Sequence, residues 1–369
     1  QCDKHEWPID NENLYKFHFR KNHYFGKQCY LRHSTPIRPA SDSSVDRIPP
    51  MLTSIDLAHM EEKGYLVVPN AVASEDLAAV VDGIWNHMRM DRNDPDTWYE
   101  DPNSDDLQVY GFMRQMHTPA MWRVRQSPKI HQAFADLWGT DNLWISIDRC
   151  IIKPPLRVDK PQWGATDDPR GLLHWDFLSA KTPKRFKLFQ GVVYLEDTEA
   201  NQGTFQCVPG FQNRYEAWHA SRNGDFEFGF SNGLPMEQGL ESPTPIAGKA
   251  GDLLIWDSFT PHGHVYNTSS KPRLAQFLTM WPATEEGHET GLRVFWPSSV
   301  PSNDGSPLGE RCGGLEAERL SRVVQWREGL QTDFGRPIPE KVPGQDDVPS
   351  CPLSPLGRRI LGLDLWPTE

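Results

Sequence analysis

The feature that most constrains this chain is a succession of short β-type runs: Leu143 to Lys153, Phe189 to Leu195, Gly203 to Val208, Asp252 to Trp256 and Arg273 to Trp281. They are joined by turn-forming segments such as Glu199 to Gly203 and Pro209-Gly210, where glycine supplies positive φ and proline ends a ladder. Several short strands with this punctuation predict a sandwich or barrel. The expected class is mainly β with flanking helices, built on a double-stranded β-helix (a cupin-like jelly roll). The 28 Gly and 32 Pro fit that class and are too many for a helical bundle.

Helices precede the strands. Thr53 and Asp56 form a capping box that opens a helix ending at Gly64, and Tyr65 to Val68 follows as a strand. Ser74 is the expected cap of a second helix, Glu75 to Met88, with Leu77, Val80, Val81 and Ile84 at helical spacing. A further helix is expected near Pro128 to Trp138, and one amphipathic helix in the tail, Leu315 to Leu330. These patterns divide the 369 residues into an extended arm (1–51), a jelly-roll domain with N-terminal helices (52–283) and a C-terminal extension packed on it (284–369).

Charge and targeting signals narrow the function. With 38 Lys+Arg against 50 Asp+Glu, the net charge of −12 argues against a nucleic-acid partner, which needs a basic stripe. Seven acids fall between Asp91 and Asp106, readable as a solvated loop or as a rim selecting a cationic substrate. No apolar run reaches the roughly 18 residues that span a bilayer. The start, QCDKHEWPID, lacks the pattern of a secretory signal, the closing PTE is not a peroxisomal address, and the six Cys are scattered without a CxxC pair. A cytoplasmic protein acting on a small molecule, without membrane attachment, is the expectation.

The strongest chemical signal is His174-Trp175-Asp176. On a strand, residues two apart share a face, so an imidazole and a carboxylate converge on adjacent sites of a metal. A second histidine would complete the two-His-one-carboxylate face that holds non-haem Fe(II) with positions left open. His59-Met60-Glu61 has similar spacing but is expected on a helix, where two residues lie about 200° apart and share no ligand point. About ninety residues after His174 comes His262-Gly263-His264, and eleven residues after His262 comes Arg273, opening a strand. A guanidinium there can fork onto the distal carboxylate of a dicarboxylate whose other end chelates the metal. The alternative reading of His174 and Asp176 is a buried histidine bonded to a carboxylate.

At this point the chain resembles the phytanoyl-CoA dioxygenase-like branch of the Fe(II)/2-oxoglutarate-dependent oxygenases. Gly64 to Pro69 matches the family's Gly-Tyr-Leu-Val-Val-Pro-type opening, and Lys153-Pro154-Pro155 its Lys-Pro-Pro segment. Leu195-Glu196-Asp197, Asn201-Gln202-Gly203 and Val208-Pro209-Gly210 follow in family order, as do His262-Gly263, Asn267, Ser269 and Arg273. The resemblance covers about Leu52 to Trp281. Two departures stand out: His264 where many members have other residues, and Phe211-Gln212 after Pro209-Gly210, which hints at a different substrate pocket.

The resemblance implies Fe(II) held by His174, Asp176 and His262, with 2-oxoglutarate chelating through its keto-acid end and Arg273 gripping the far carboxylate. His262 is preferred over His264 because it keeps the family offset to Arg273, which leaves His264 as a pocket residue. Lys153 and Gln190 are candidates for the near carboxylate of 2-oxoglutarate. Trp175, between the ligands, points the other way and reads as core. The implied reaction consumes O₂, releases succinate and CO₂, and hydroxylates an unactivated carbon of a small metabolite-like substrate. The presence of Asp176 favours hydroxylation over halogenation. Desaturation or oxidative cyclisation is the alternative at the same site, and a non-catalytic cupin-like binding protein the alternative of another class. A zinc hydrolase leaves Arg273 without a task.

Overall fold

Helix α1 (Ser54–Lys63) opens on the expected capping box: the Asp56 N–H donates to Thr53 Oγ1 at 3.2 Å and the Thr53 N–H to Asp56 Oδ2 at 2.8 Å. It closes at Gly64, whose φ of 75° permits an immediate turn into strand β1 (Tyr65–Val68). Helix α2 (Ser74–Met88) corrects one expectation, because Ala73 holds the extended cap conformation and Ser74 is already helical. Its Leu77, Val80, Val81 and Ile84 are buried as the spacing requires.

In this computed structural model the described residues are 50–99, 107–108, 111–113, 117–160, 173–177, 182–222, 242–288, 290, 314–327, 332–333, 336–337 and 352–367. Residues 1–49 of the expected N-terminal arm, and the acidic stretch from Glu100 to Asp106, lie outside them. Asp91, Asp94 and Asp96 are exposed, while Trp98 and Tyr99 turn inward, Tyr99 donating to the Pro155 carbonyl at 2.7 Å.

After β2 (Leu107–Gln108) and β3 (Phe112–Met113) come helices α3 (Pro119–Arg125) and α4 (Pro128–Trp138), then β4 (Leu143–Ile145) and β5 (Cys150–Lys153). The chain continues through β6 (Phe189–Tyr194), β7 (Phe205–Cys207), α5 (Tyr215–Ser221) and β8 (Thr244–Pro245). It then runs through β9 (Leu253–Asp257), β10 (His262–His264) and β11 (Arg273–Pro282). The larger sheet has the order β1-β9-β6-β11-β5-β3-β2, with β4 on the far end of β11; the smaller is β10-β7-β8, and the pairings are antiparallel.

Strand periodicity divides the larger sheet's side chains between two faces. One carries Ile152, Val193, Leu253, Ile255, Leu274 and Leu278 into the main core with Val80, Ile84, Ile130 and Phe134 of the helices. The other carries Ile151, Val192, Tyr194, Leu254, Trp256 and Ala275 into a second core with Phe205 and Cys207 of the smaller sheet. Two antiparallel sheets closing on an internal core, with helices on one outer face, make the fold a jelly roll.

The run Leu143 to Lys153, read as one strand, is two. Both halves pair with β11, and between them the Phe277 N–H to Arg149 carbonyl and Ser146 N–H to Thr279 carbonyl bonds, at 3.0 and 2.7 Å, link the backbone to that strand. In the tail, helices α6 (Gly314–Arg327) and α7 (Pro355–Leu361) pack on the core through Val323, Ile360 and Leu361. Trp366 stacks on His131 with centroids 5.6 Å apart and donates to the Leu143 carbonyl at 3.1 Å.

Candidate active site

The internal face of the larger sheet is apolar except at a few positions, and those positions are the chemistry. Alternation from Ile151, Val192 and Ala275 puts Lys153, Gln190, Tyr194 and Arg273 on the side facing the smaller sheet. On the smaller sheet, His262 pairs with Cys207 and His264 with Phe205, so both histidines share the inner face with those core residues.

His174 and His262 form an antiparallel bridge, with N–H to O distances of 2.8 and 3.1 Å. His174 makes this single bridge, and Asp176 sits in the bend that follows, not on a continuous strand. The convergence of the two side chains survives: His174 Nε2 lies 3.5 Å from Asp176 Oδ1 and His262 Nε2 3.2 Å from Asp176 Oδ2. The imidazole centroids are 4.7 Å apart. One donor atom from each of the three residues lies within 4.8 Å of the others, and this is the one such group among the described residues. His262 Nδ1 is 3.0 Å from the Thr260 carbonyl. A carbonyl only accepts, so Nδ1 carries a proton and Nε2 is the ring nitrogen turned to the triad.

Burial pushes the Asp176 carboxyl up, but hydrogen bonds from His174 and His262 outweigh it and hold the group well below the usual carboxylate range. Two imidazoles and a carboxylate, with the Asp176 side chain still 33% exposed, fit Fe(II) with positions left for exogenous ligands. Trp175 faces away, 1% exposed, in an aromatic block with Phe177, Phe211, Tyr215 and Phe259. Its Nε1 donates to the Phe259 carbonyl at 2.9 Å, tying the ligand segment to the turn before His262.

Arg273 and Lys153 are direct cross-strand partners, 2% and 3% exposed. Burial, then the Arg273 charge, drives the Lys153 ammonium well below its ordinary pKa. The Arg273 guanidinium donates to the Gly203 carbonyl at 2.9 Å, and among the described residues its buried Nε has no hydrogen-bond partner. The motif residues around it are its scaffold. Asn267 donates to the Lys153 and Lys271 carbonyls at 2.8 and 2.7 Å, and Gln202 donates to the Pro272 carbonyl at 2.8 Å. Gly203, at φ 67°, holds a left-handed conformation that favours glycine, and a Cβ there would crowd Asn267 at 3.2 Å.

Gln190, a candidate for the near carboxylate of 2-oxoglutarate, lies on the side of the three-donor cluster. Its amide lies at Asp176, not beside Lys153 and Arg273: Nε2 donates to Asp176 Oδ2 at 2.6 Å, and Oε1 accepts from Ser258 Oγ at 3.0 Å. Ser258 is a neighbour of the cluster that sequence reasoning missed; a serine ending a strand carries no distinguishing signal. His264 stands outside the triad, as expected. Burial, followed by the charges of Lys153, Arg273 and His174, holds its imidazole well below its ordinary pKa, hence neutral. Of Phe211-Gln212, Phe211 belongs to the aromatic block and Gln212 donates to the Glu61 carbonyl at 3.0 Å.

A jelly roll carrying this donor set beside a buried cation pair defines the class as Fe(II)/2-oxoglutarate-dependent oxygenase. Residues 60–275 match the model of the phytanoyl-CoA dioxygenase (PhyH) family, and the chain belongs to that family. It is a dioxygenase whose cofactors are Fe(II), 2-oxoglutarate and O₂. A Dictyostelium discoideum protein named for phytanoyl-CoA dioxygenase is 24% identical over 260 residues, covering 61% of this chain and 74% of that one. An ectoine dioxygenase of Bordetella parapertussis is 22% identical over 245 residues, covering 62% and 74%. Among solved structures, the epimerase SnoN in complex with Fe3+, alpha ketoglutarate and nogalamycin RO has a TM-score of 0.45 at 17% identity, covering 69% of this chain and 92% of that one. Among the described residues no helix is long and apolar enough to cross a membrane.

Proposed function

We propose that the enzyme hydroxylates an unactivated carbon of a small organic, metabolite-like substrate, with the catalytic domain spanning 52–283 and residues 284–369 as an extension packed on it. In this reading His174, Asp176 and His262 hold the Fe(II), and Arg273 with Lys153 holds the far carboxylate of 2-oxoglutarate. The observation that carries it is the pairing, on one internal face, of a three-donor cluster with two buried cations. Fe(II) with 2-oxoglutarate and O₂ supplies oxidative decarboxylation to succinate and CO₂ and the transfer of one oxygen atom to a C–H bond. The residues supply placement: Arg273 forks onto a carboxylate, Lys153 neutralises it, and the apolar walls of Trp256, Phe205 and Phe277 exclude water. The cross-strand register of Lys153 and Arg273 supports a reading in which Lys153 serves the far carboxylate alongside Arg273. The relative named ectoine dioxygenase supports a small-molecule substrate.

The test is anaerobic addition of Fe(II) and then 2-oxoglutarate to the apo-protein, followed by air and a succinate assay. A visible charge-transfer band requiring both additions, lost in His262→Ala and weakened in Arg273→Met, is expected. A band that persists unchanged in both variants refutes the site. Once a substrate is found, a product heavier by one oxygen atom supports hydroxylation, whereas loss of two hydrogens identifies desaturation or ring closure.

A further inference from the structure

Gln190 is buried at 6% exposure on the internal face of β6, between Thr279 of β11 and Trp256 of β9 in the sheet register. Both ends of its amide are engaged. Nε2 donates to Asp176 Oδ2 at 2.6 Å, and Oε1 accepts from the fully buried Ser258 hydroxyl at 3.0 Å. The direction of this chain is chemically determined. A carboxylate can only accept, so the amide nitrogen must face Asp176, and the remaining amide oxygen requires a donor, which Ser258 provides. Ser258 is itself held in register, because its N–H extends the β6–β9 ladder to the Leu188 carbonyl at 2.9 Å.

We propose that Gln190, keyed by Ser258, is a positioning residue that fixes the carboxylate of Asp176 so that it serves the metal through a single oxygen. The proposal rests on the reading of His174, Asp176 and His262 as the metal ligands. Asp176 follows His174 in a bend, not in a paired strand, so the backbone ladder constrains its rotamer less than it constrains the two histidines. A charge-assisted bond ties Oδ2, which also lies 3.2 Å from His262 Nε2, to the rigid centre of the larger sheet, and in the proposal Oδ1 is the oxygen that serves the metal. A carboxylate free to bind through both oxygens would take up a position that the cosubstrate or O₂ needs. Partners of metal ligands commonly govern affinity about as strongly as this role demands, at roughly 10- to 100-fold per partner.

The experiment is anaerobic calorimetric titration of the apo-enzyme and its variants with Fe(II) alone, accompanied by the 2-oxoglutarate charge-transfer spectrum and a thermal melt. Gln190→Leu is expected to weaken Fe(II) binding about 10- to 100-fold and to shift the band. Ser258→Ala should weaken binding less, and should add nothing in the Gln190→Leu background, because the relay is already broken. Gln190→Leu binding Fe(II) as tightly as the parent overturns the proposal, as does a Gln190→Leu effect confined to 2-oxoglutarate affinity. Additive losses in the double variant also overturn it, since they indicate independent packing effects. Asp176→Ala separates this from the site reading: if it retains Fe(II), the ligand assignment fails, whereas loss of Fe(II) there with retention in Gln190→Leu refutes the clamp alone. Where Gln190→Leu does not fold, Ser258→Ala carries the test through its band shift, and an unshifted band in that variant overturns the relay.

Discussion

Replacing Arg273 with Met removes a guanidinium from a position 2% exposed, leaves the Gly203 carbonyl without its donor at 2.9 Å, and leaves Lys153 as the single cation of the cross-strand pair. In the ligand-free enzyme two effects oppose: a lost hydrogen bond costs about 1 kcal/mol, while relief of like-charge proximity at Lys153 is favourable. The melt should therefore move little. With 2-oxoglutarate the balance changes, because a buried, hydrogen-bonded charge pair loses one partner. Such truncations cost about 2–5 kcal/mol, and with each 1.4 kcal/mol worth about tenfold the dissociation constant rises by roughly thirty-fold to a few thousand-fold. Arg273→Lys, which keeps the charge without the fork, should fall between the two. The assay is anaerobic titration of the Fe(II)-loaded protein with 2-oxoglutarate, read by the charge-transfer band. Fe(II) affinity should stay within about threefold, since Arg273 shares no bond with the triad. Unchanged 2-oxoglutarate affinity in Arg273→Met, or a loss confined to Fe(II), refutes the assignment.

Further outcomes follow from the same geometry. The ammonium of Lys153 is driven well below its ordinary pKa by burial and by Arg273, so over the range between its folded and ordinary pKa the unfolded chain binds more protons and this group's contribution to stability rises with pH. Lys153→Met should flatten the pH dependence of the ligand-free unfolding free energy and weaken 2-oxoglutarate binding; a steeper pH dependence refutes this. Because a charged Lys153 suits a dianion, 2-oxoglutarate affinity of the parent should fall as pH rises, measured by titration at several pH values. His264→Ala should retain Fe(II), since its neutral imidazole stands outside the triad, and loss of metal in calorimetry would move the ligand assignment. Trp175→Ala should cost about 3–5 kcal/mol in denaturant unfolding, the range for a fully buried aromatic, and should also weaken Fe(II) binding because Trp175 holds the backbone between two ligands.

Local patterns carried a good part of the fold. The Thr53/Asp56 capping box, the Gly64 stop and the Pro128–Trp138 helix depend on interactions a few residues apart, and each stands as read. Ser74 fails as a cap because both it and Ala73 are compatible with the helix start, and packing decides which residue stays extended. The division of Leu143 to Lys153 into two strands is set by β11, more than a hundred residues away, and could not be read locally. The same distinction separates Arg273 from Gln190. Arg273 carries a positional signature, an offset from His262 across one turn, whereas the partner of Gln190 depends on how β6 meets a bend in another segment.

What the sequence determined by itself was the kind of chemistry: two imidazoles, a carboxylate and a guanidinium at offsets that strand periodicity can bring onto one face. Tertiary structure decided which charges meet. It paired Lys153 with Arg273 through the β5–β11 register, turned the amide of Gln190 onto Asp176 through Ser258, and left His264 outside the three-donor cluster although it is two residues from His262 and on the same face. The reason is physical: periodicity fixes the face a side chain points to, but only the pairing of distant strands fixes which atoms lie within hydrogen-bonding reach.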